Sequence, residues 1–319
     1  MIVESGLRAA RVLSLDGELQ SLLFRLAERG GALVVHSVFD HALNLLDDTG
    51  RLVTFASTGL DDAPWTLRAE APEWPSFPLN SGDALRVRPS AVVLPDGGAL
   101  VEGWRDARLW APALPVADDG APSAELLDAL GAWLAVRGTP GGMLAGGSAD
   151  PFERGAATLL AAGAKALREA VIRDSKKGRL ESSSGFLDAA VLNLLGLGTG
   201  LTPSGDDHLT GFALVAARPG SRLAGFGDRL LSVLDGHPGR TTAVSEATLR
   251  EAARGRARQS LLELLAGMTS PWSGTVAGRL GHLDVHLVRV LGIGRTSGTD
   301  ILSGLLAGLR VERELRGSV

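Results

Sequence analysis

The sequence predicts an α+β protein, with an N-terminal small β barrel or sandwich followed by a mainly α-helical domain. Two observations lead to this fold class. Short apolar runs separated by Pro, Gly and Asp fill the first third of the chain. In the rest, apolar residues recur at helical spacing. We therefore expect a β-rich domain over residues 1–115 and an α-helical domain over residues 123–319, with a Pro- and Ala-rich linker at residues 112–122.

Eight short apolar runs support the β-rich domain. The run 32–39 is typical of a buried strand, and the runs 42–46 and 51–57 flank a hairpin-type turn at Asp47–Gly50. Six prolines within residues 64–95 favour short strands and turns over helices. Further strands are expected at residues 65–69, 85–87, 91–94, 99–101 and 107–110.

The helical period begins at residue 123, where Ser123 is the predicted N-cap of a helix over residues 123–136. The next helix, residues 150–173, is rich in Ala and Leu and is expected to be interrupted or kinked near Gly163. Further helices are expected at residues 185–195, 206–217, 222–235, 242–253, 258–267, 283–291 and 298–310.

Composition restricts the class of protein. The 319 residues include no cysteine, so disulfides, thiolate metal sites and a cysteine nucleophile are not available. The net charge of −4 argues against nucleic-acid binding. The sequence shows no signal peptide, and no apolar run approaches the roughly 20 residues that a membrane span needs. We therefore expect a cytoplasmic protein that binds neither nucleic acid nor a membrane.

The segment 196–207, Gly-Leu-Gly-Thr-Gly-Leu-Thr-Pro-Ser-Gly-Asp-Asp, carries the strongest functional signal. Glycines at this density let a loop adopt positive φ and bring its backbone N–H groups close to a ligand. The helix expected after the loop offers free N–H groups and a positive dipole end to an anion. We predict that the segment binds a small anionic substrate through Gly198, Gly200, Thr202, Ser204 and Gly205.

A weaker copy of this segment lies 93 residues downstream. Ser204–Gly211 and Ser297–Gly304 share the pattern S-G-x-D-x-L-x-G. In each copy, the serine is the predicted N-cap, the Asp three residues later completes a capping pair, and the second glycine permits close helix packing. One interpretation is therefore two well-capped, tightly packed helices. A binding site is favoured for the first copy, because capping does not require its glycine run or Asp206. For Ser297 and Asp300 in the second copy, both interpretations remain open.

Asp206 and Asp207 are the candidate catalytic residues. In a first helical turn they point about 100° apart, so one can stabilise the helix start while the other faces the ligand. The ligand-facing carboxylate would act as a general base or hold Mg²⁺ beside a bound phosphate. Paired acids at a helix start are also explained by the dipole alone. We predict no metal site and no certain cofactor; Mg²⁺ is the cofactor with which the segment is compatible.

Other polar residues have both structural and functional interpretations. Thr241 looks like the N-cap of the helix 242–253, and Thr241 and Thr242 would also extend the anion site. His208, at the edge of an apolar face, is more typical of a hydrogen-bonded structural residue. His282 and His286 have the spacing of metal ligands on one helix face, but no third ligand is evident.

The run Gly198–Asp207 resembles the signature of a bacterial family whose characterised branch is the AllH-type subunit of oxamate carbamoyltransferase. Thr199 stands where many members have proline, and His208 stands where an apolar residue is usual. The resemblance covers most of the chain. It extends to residues 36–39, 42–45, 81–83, 241–245 and 297–300.

The resemblance implies carbamoyl transfer between oxamate or a related amide and phosphate, giving carbamoyl phosphate. It also implies partner subunits, since the AllH-type subunit works with two other proteins. Our first hypothesis is therefore a carbamoyltransferase subunit that binds its anionic ligand at the glycine-rich segment. The alternative is a non-catalytic ligand-binding or scaffold subunit, because the sequence holds no complete nucleophile–base set. A Mg²⁺-dependent phosphotransferase is less favoured, because the loop has no lysine.

Overall fold

The computed structural model describes residues 8–71, 73–112, 114, 121–146, 151–177, 180 and 185–317. The chain forms two compact units, Met1–Pro112 and Ala113–Val319. Part of the predicted linker, residues 115–120, lies outside the described residues. The elements of the first unit are β1 (Ala10–Asp16), α1 (Gly17–Glu28), β2 (Ala32–Val38), β3 (Ala42–Leu46), β4 (Leu52–Ser57), β5 (Thr66–Ala69), β6 (Ala84–Val87), β7 (Ala91–Val93), β8 (Ala99–Glu102) and β9 (Arg108–Trp110).

The first unit is a β barrel. Its strands run in the order β5-β4-β3-β2-β6-β7-β8-β1, and β1 also pairs antiparallel with β5, which closes the ring at eight strands. The ninth strand, β9, runs parallel to β1 at Ser14–Asp16, beyond the stretch of β1 that pairs with β8. Alternate residues such as Val53 and Phe55 are buried, as expected when one face of each strand lines a closed core. The predicted barrel or sandwich is thus confirmed as a barrel.

The sequence prediction missed the first strand and helix of the barrel unit. Asp16 caps α1 by accepting a hydrogen bond from the N–H of Glu18 at 3.2 Å. The residues that α1 buries are Leu19, Leu22, Leu23 and Leu26. Their spacing of three and four is the helical signal that identifies this segment in retrospect, within a region otherwise made of short strands.

The second unit is helical. Its elements are α2 (Ala124–Arg137), α3 (Pro151–Ser175), α4 (Gly185–Leu192), α5 (Ser204–Ala216), α6 (Phe226–Gly236), α7 (Ala243–Ala253), α8 (Gln259–Thr269), α9 (Val276–Leu291) and α10 (Ser297–Arg316). Every residue of α5 is buried, so this helix forms the centre of the unit. In the part of the chain that the structure describes, no helix combines the length and apolar character needed to cross a membrane.

Two helix predictions have clear outcomes. The N-cap prediction for Ser123 is confirmed, because its side chain accepts from the N–H of Leu126 at 3.2 Å. The predicted interruption near Gly163 is wrong, because α3 runs continuously through it. Gly163 is needed for packing instead: a Cβ there would lie 2.7 Å from Cδ2 of Leu194. The close approach of the segment after α4 thus explains a glycine that looked like a helix breaker.

Candidate functional site

The glycine-rich segment forms the turn that leads from α4 into α5. Gly196, Gly198 and Gly200 all have positive φ, at 74°, 126° and 98°. A Cβ at Gly196 would lie 2.3 Å from the carbonyl oxygen of Arg240, and one at Gly198 would lie 2.5 Å from the N atom of Ser204. Gly200 meets nothing within 4 Å. The first two glycines are therefore required by both backbone conformation and packing, whereas Gly200 faces open space.

The two copies of the sequence pattern begin two helices, α5 and α10, that pack directly against each other. A Cβ at Gly211 would lie 2.0 Å from the carbonyl oxygen of Ile301. A Cβ at Gly304 would lie 2.0 Å from the carbonyl oxygen of His208. Gly211 and Gly304 occupy equivalent positions in the two copies, and so do His208 and Ile301. The contact is therefore reciprocal, as in a local two-fold arrangement, and each glycine lets the facing backbone approach.

This packing brings the starts of both helices into one site. The hydroxyls of Thr202 and Ser297 lie 2.8 Å apart. The hydroxyl of Ser297 interacts with the Asp207 carboxyl, and the hydroxyl of Ser204 interacts with that of Asp300. Each serine thus interacts with the aspartate of the other copy. The sequence pattern suggested two separate capping pairs, and the structure shows crossed pairs.

The N-cap predictions for Ser204 and Ser297 are therefore wrong. Both are the first residues inside their helices, and the N-cap residues Pro203 and Thr296 make no side-chain capping bond. The predicted cap at Thr241 is off by one residue. Thr242 caps α7 by accepting from the N–H of the residue three positions on, at 3.1 Å. The serine hydroxyls are available to the facing helix because they are not used at their own helix starts.

Asp206 holds the glycine-rich segment in place. Its Oδ1 accepts from the N–H of Gly196 at 2.7 Å, and its Oδ2 accepts from the hydroxyl of Thr241. The hydroxyl of Thr242 donates to the carbonyl of Leu201 at 2.5 Å, which adds a second tie between the segment and the start of α7. Burial raises the pKa of Asp206, and the hydrogen bonds oppose that shift. Both carboxyl oxygens of Asp206, predicted as a catalytic residue, therefore accept hydrogen bonds that position the segment.

Asp207 has a different environment. It is 3% exposed, and its Oδ2 has no hydrogen-bond partner within the described residues. Burial raises the pKa of Asp207 to about 7, the charges of Asp300 and Asp206 add to the rise, and the hydroxyls of Ser297 and Thr202 oppose it. Near neutral pH the carboxyl therefore exists in both protonation states, which is the condition for an efficient proton donor or acceptor.

Asp300 is covered by a segment that the sequence prediction treated only as a glycine-rich connection. The N–H of Met143 donates to its Oδ1 at 2.6 Å, and a Cβ at Gly142 would lie 2.3 Å from its Oδ2. Asp300 is fully buried, and burial is the main cause that raises its pKa. The glycine-rich composition of residues 138–147 was the available signal, since only a glycine permits such a close approach.

Two family models match this chain. The AllH family N-terminal domain matches residues 11–107, which cover most of the barrel. The model of the oxamate carbamoyltransferase subunit AllH matches residues 194–309, which include the glycine-rich segment and both packed helix starts. The chain belongs to the AllH family. No solved structure matches it.

The predicted substrate-binding residues of this AllH chain lie around the starts of α5 and α10, except Thr241 and Thr242, which lie at the start of α7 and contact Asp206 and Leu201. They are not equally accessible. Gly205 backs onto the carbonyl of Leu194, and its N–H donates to Leu197 at 2.8 Å, so it is not free for a ligand. Within the glycine-rich segment, residues 198–201 are exposed. Among the described hydrogen bonds, none uses the N–H of Thr199 or Gly200. The exposed turn therefore presents backbone N–H groups that no described residue uses, next to the starts of α5 and α10; we call this region, residues 196–207 and 297–300, the AllH site.

His208 is a buried neutral residue next to the AllH site. Its Nδ1 lies 2.8 Å from the hydroxyl of Ser303, which donates to the carbonyl of Asp300 at 2.6 Å. Nδ1 must therefore carry the proton, and Nε2, an acceptor, has no partner within the described residues. Burial lowers the pKa of His208 to about 4. These contacts agree with a structural role.

The candidate metal ligands lie in two places, on α9 and at the starts of α5 and α10. The rings of His282 and His286 have centroids 6.5 Å apart on α9. Within the described ranges, no three His, Asp or Glu side chains are grouped as a metal site would require. Asp207 and Asp300 are the carboxyls that interact across the two helix starts.

Proposed function

We propose that this chain is the subunit of an oxamate-type carbamoyltransferase that binds the anionic ligand, either carbamoyl phosphate, phosphate or an oxamate-like anion. The binding residues are those of the exposed turn 198–202, with Ser204 and Ser297 behind it. One observation carries the proposal: the glycine turn, whose Thr199 and Gly200 N–H groups are used by none of the described hydrogen bonds, ends at Thr202, and the hydroxyl of Thr202 contacts the buried carboxyl of Asp207, whose pKa is raised to about 7. The family name and its designation as a subunit support the reaction class and the need for partner subunits.

Backbone donors are the main contacts in the proposed anion site. The N–H groups of Thr199 and Gly200 belong to a turn that is fixed at both ends, by Asp206 and by Thr242. Such preorganised donors bind an anion without reorganising, and each is worth several kcal/mol at a developing charge. The hydroxyls of Thr202 and Ser297, 2.8 Å apart, extend the donor set to the start of α10.

A carboxyl beside an anion site requires an explanation, and the raised pKa of Asp207 gives one. A carboxylate would repel a phosphate or an oxamate-like anion. A protonated carboxyl does not repel it and instead donates a hydrogen bond. With a pKa of about 7, Asp207 can be neutral when the anion arrives and can still exchange its proton.

The chemistry then follows from the reaction class. A phosphate oxygen attacks the carbamoyl carbon of the N-carbamoyl derivative of oxamate, and the bond from that carbon to the oxamate nitrogen breaks. The leaving nitrogen takes the proton of Asp207, which gives oxamate, carbamoyl phosphate and an ionised Asp207. In the reverse direction, the Asp207 carboxylate accepts the proton from the attacking nitrogen. Asp300 acts on the reaction through Ser204, and Asp206 and Thr241 act through the position of the turn.

A second candidate function is a ligand-binding or scaffold subunit that leaves the chemistry to its partners. The burial of Asp207 and Ser204, at 3% and 5% exposure, favours it. In this alternative the exposed turn 198–202 holds the anion, and the buried carboxyls only maintain the packing of α5 and α10. The two candidates differ in what removal of the Asp207 proton does to turnover.

The experiment compares Asp207→Asn with wild type in turnover of the complex reconstituted with its partner subunits, and in binding of carbamoyl phosphate to the isolated chain. We expect turnover to fall about 100-fold or more, because a general acid contributes at least that much. We expect binding to persist. Carbamoyl phosphate at 100 times its Kd should stabilise the chain by about 2.7 kcal/mol in a thermal-shift titration.

Two variants complete the design. Asp228→Asn removes an exposed carboxyl from the first turn of α6 and should leave turnover and binding unchanged. Thr202→Val should weaken carbamoyl phosphate binding about tenfold, the effect of one lost hydrogen bond to a charged group. Full turnover in Asp207→Asn together with weak binding in Thr202→Val would favour the scaffold alternative. A chain that binds none of the three anions would overturn both candidates.

A further inference from the structure

A second cavity in the helical unit shares no residue with the AllH site. It has a volume of about 370 Å³ and lies where α8 ends and α9 and α2 begin. A cavity of this size suits a small organic molecule. Its lining includes Ser123, Leu126, Met268, Trp272, Val276 and Arg279.

Arg279 is a buried cation for which the described residues supply no counter-charge. It is 9% exposed, and its Nη2 donates to two neutral carbonyls, those of Gly267 at 2.7 Å and Ser270 at 2.5 Å. Its Nε has no partner within the described residues. Across that part of the chain no carboxylate forms an ion pair with Arg279, and burial alone lowers its pKa. Arg279 lines the cavity, and its Cζ lies 5.9 Å from the centroid of the Trp272 ring. Since a buried charge normally needs a counter-charge, this guanidinium favours an anion in the cavity.

The electrostatic surroundings of the cavity favour an anion as well. Val276 lies in the first turn of the sixteen-residue helix α9, and Ser123 is the N-cap of α2, so two positive helix ends border the cavity. None of its lining residues is acidic. The two helix ends and Arg279 therefore all favour a negatively charged ligand in the cavity.

The rest of the lining is apolar. Leu126 and Met268 are buried, and Trp272 is 41% exposed at the cavity. The indole of Trp272 is held in place, because its N–H donates to the carbonyl of Thr275 at 3.0 Å and its ring stacks on His282 at a centroid distance of 5.7 Å. A ligand in this cavity therefore needs an apolar body as well as a negative end.

We infer that this cavity binds a small organic monocarboxylate, with its carboxylate on Arg279 and its apolar body against Trp272, Leu126 and Met268. The carboxylate supplies the counter-charge that none of the described residues provides, and the apolar body covers the indole. This site is separate from the proposed carbamoyl phosphate site, so its ligand is a second molecule.

The experiment uses 4-fluorobenzoate as the probe and 4-fluorobenzamide as its neutral counterpart, with binding measured by ¹⁹F NMR on the full chain. We expect 4-fluorobenzoate to bind at least about tenfold more tightly than the amide, as a charge-assisted contact requires. Arg279→Gln should weaken the benzoate at least about tenfold. Arg289→Gln, which removes a more exposed arginine from the same helix, should not change its affinity. Asp207→Asn should bind the benzoate like wild type.

Several results would overturn the inference: no binding to the folded wild-type chain, equal binding of acid and amide, or an Arg279→Gln variant with unchanged affinity. Arg279 also ties two backbone carbonyls, so its variant can fail to fold. In that case Trp272→Ala decides, because Trp272 is partly exposed. Weaker benzoate binding in Trp272→Ala supports the site, and unchanged binding overturns it.

Discussion

The two copies of the S-G-x-D-x-L-x-G pattern have the same backbone arrangement and different chemistry. In both copies a glycine lets the facing helix approach, and in both an aspartate meets the serine of the other copy. Asp300 is covered by the backbone of Gly142 and Met143, and it accepts a hydrogen bond from the latter. Among the described residues no backbone N–H donates to Asp207, and burial raises its pKa to about 7.

The difference shows which part of a sequence repeat carries function. The glycines fix how α5 and α10 cross, so they are needed twice. The protonation of each aspartate depends on what the rest of the chain places over it. Exposed glycines precede both copies, Gly198 and Gly200 before the first and Gly292 and Gly294 before the second, but only the aspartate of the second copy accepts from Met143. A repeated motif therefore predicts the packing of both copies, but not the chemistry of either.

The largest expected effect comes from breaking the shared packing. In Gly304→Ala the new Cβ would lie 2.0 Å from the carbonyl of His208, so the two helices must separate. We expect a loss of about 3 kcal/mol in the free energy of unfolding, the upper range for overpacking. Urea denaturation followed by circular dichroism measures it.

Gly281→Ala on α9 is the matched control, because a Cβ there meets nothing within 4 Å. It should leave stability unchanged or raise it by up to about 1 kcal/mol, the helix-propensity gain of Ala over Gly. If Gly304→Ala were as stable as this control, the reciprocal contact between α5 and α10 would be wrong.

A smaller effect is expected from making the two copies alike at one position. His208 stands where the second copy has Ile301, and burial lowers its pKa to about 4. The unfolded chain binds this proton at about pH 6.5. The neutral imidazole therefore makes its full contribution to the free energy of unfolding above pH 6.5. This contribution is lost as the pH falls from 6.5 towards 4, and the loss between pH 7 and 5 is up to about 2 kcal/mol.

His208→Ile should remove this part of the acid sensitivity. The test compares the free energy of unfolding of wild type and His208→Ile at pH 7 and at pH 5. The difference between the two proteins is used because Asp207, with its raised pKa, is present in both and changes stability in the opposite direction. Protonation of Asp207 favours the folded state, so its contribution is lost as the pH rises from about 3.8 to 7. A difference that stays constant from pH 7 to 5 would contradict the buried, neutral His208.

The smallest effect sharpens the comparison through the crossed serines. Ser297 lowers the pKa of Asp207, whereas Ser204 lowers that of Asp300. Ser297→Ala should therefore raise the pKa of Asp207, and Ser204→Ala should leave it nearly unchanged. Carboxyl resonances in ¹³C NMR titrations distinguish the two variants. The reverse pattern would show that each serine serves its own aspartate, as simple capping predicts.

Much of the fold could be predicted from the sequence, because alternation and helical period are local signals. The hairpin of β3 and β4 and the helix capped by Ser123 are examples. The closure of the barrel could not be predicted, because β1 and β5 are far apart in the chain. The reason for a glycine at position 163, inside the continuous helix α3, also lies in a distant residue, Leu194.

The site residues could be located from the sequence, but their contacts could not. The glycine run and the repeat identified Asp207 and Ser297, and the structure brings them together. The roles assigned to the serines were wrong because capping is a local rule, and here the facing helix competes for the hydroxyls. The glycine-rich composition of residues 138–147 indicated a close approach, but not that its partner is Asp300, since that contact joins residues 157 positions apart.

The most direct test of the account is the protonation of Asp207 itself. A ¹³C NMR titration of the aspartate carboxyls follows it in wild type, Asp207→Asn and Asp300→Asn. We expect one carboxyl that titrates near pH 7 in wild type and is absent in Asp207→Asn. Its pKa should be lower in Asp300→Asn, because the neighbouring charge is gone. A wild-type chain in which every aspartate titrates near the ordinary value of about 3.9, or a signal near pH 7 that persists in Asp207→Asn, would contradict it.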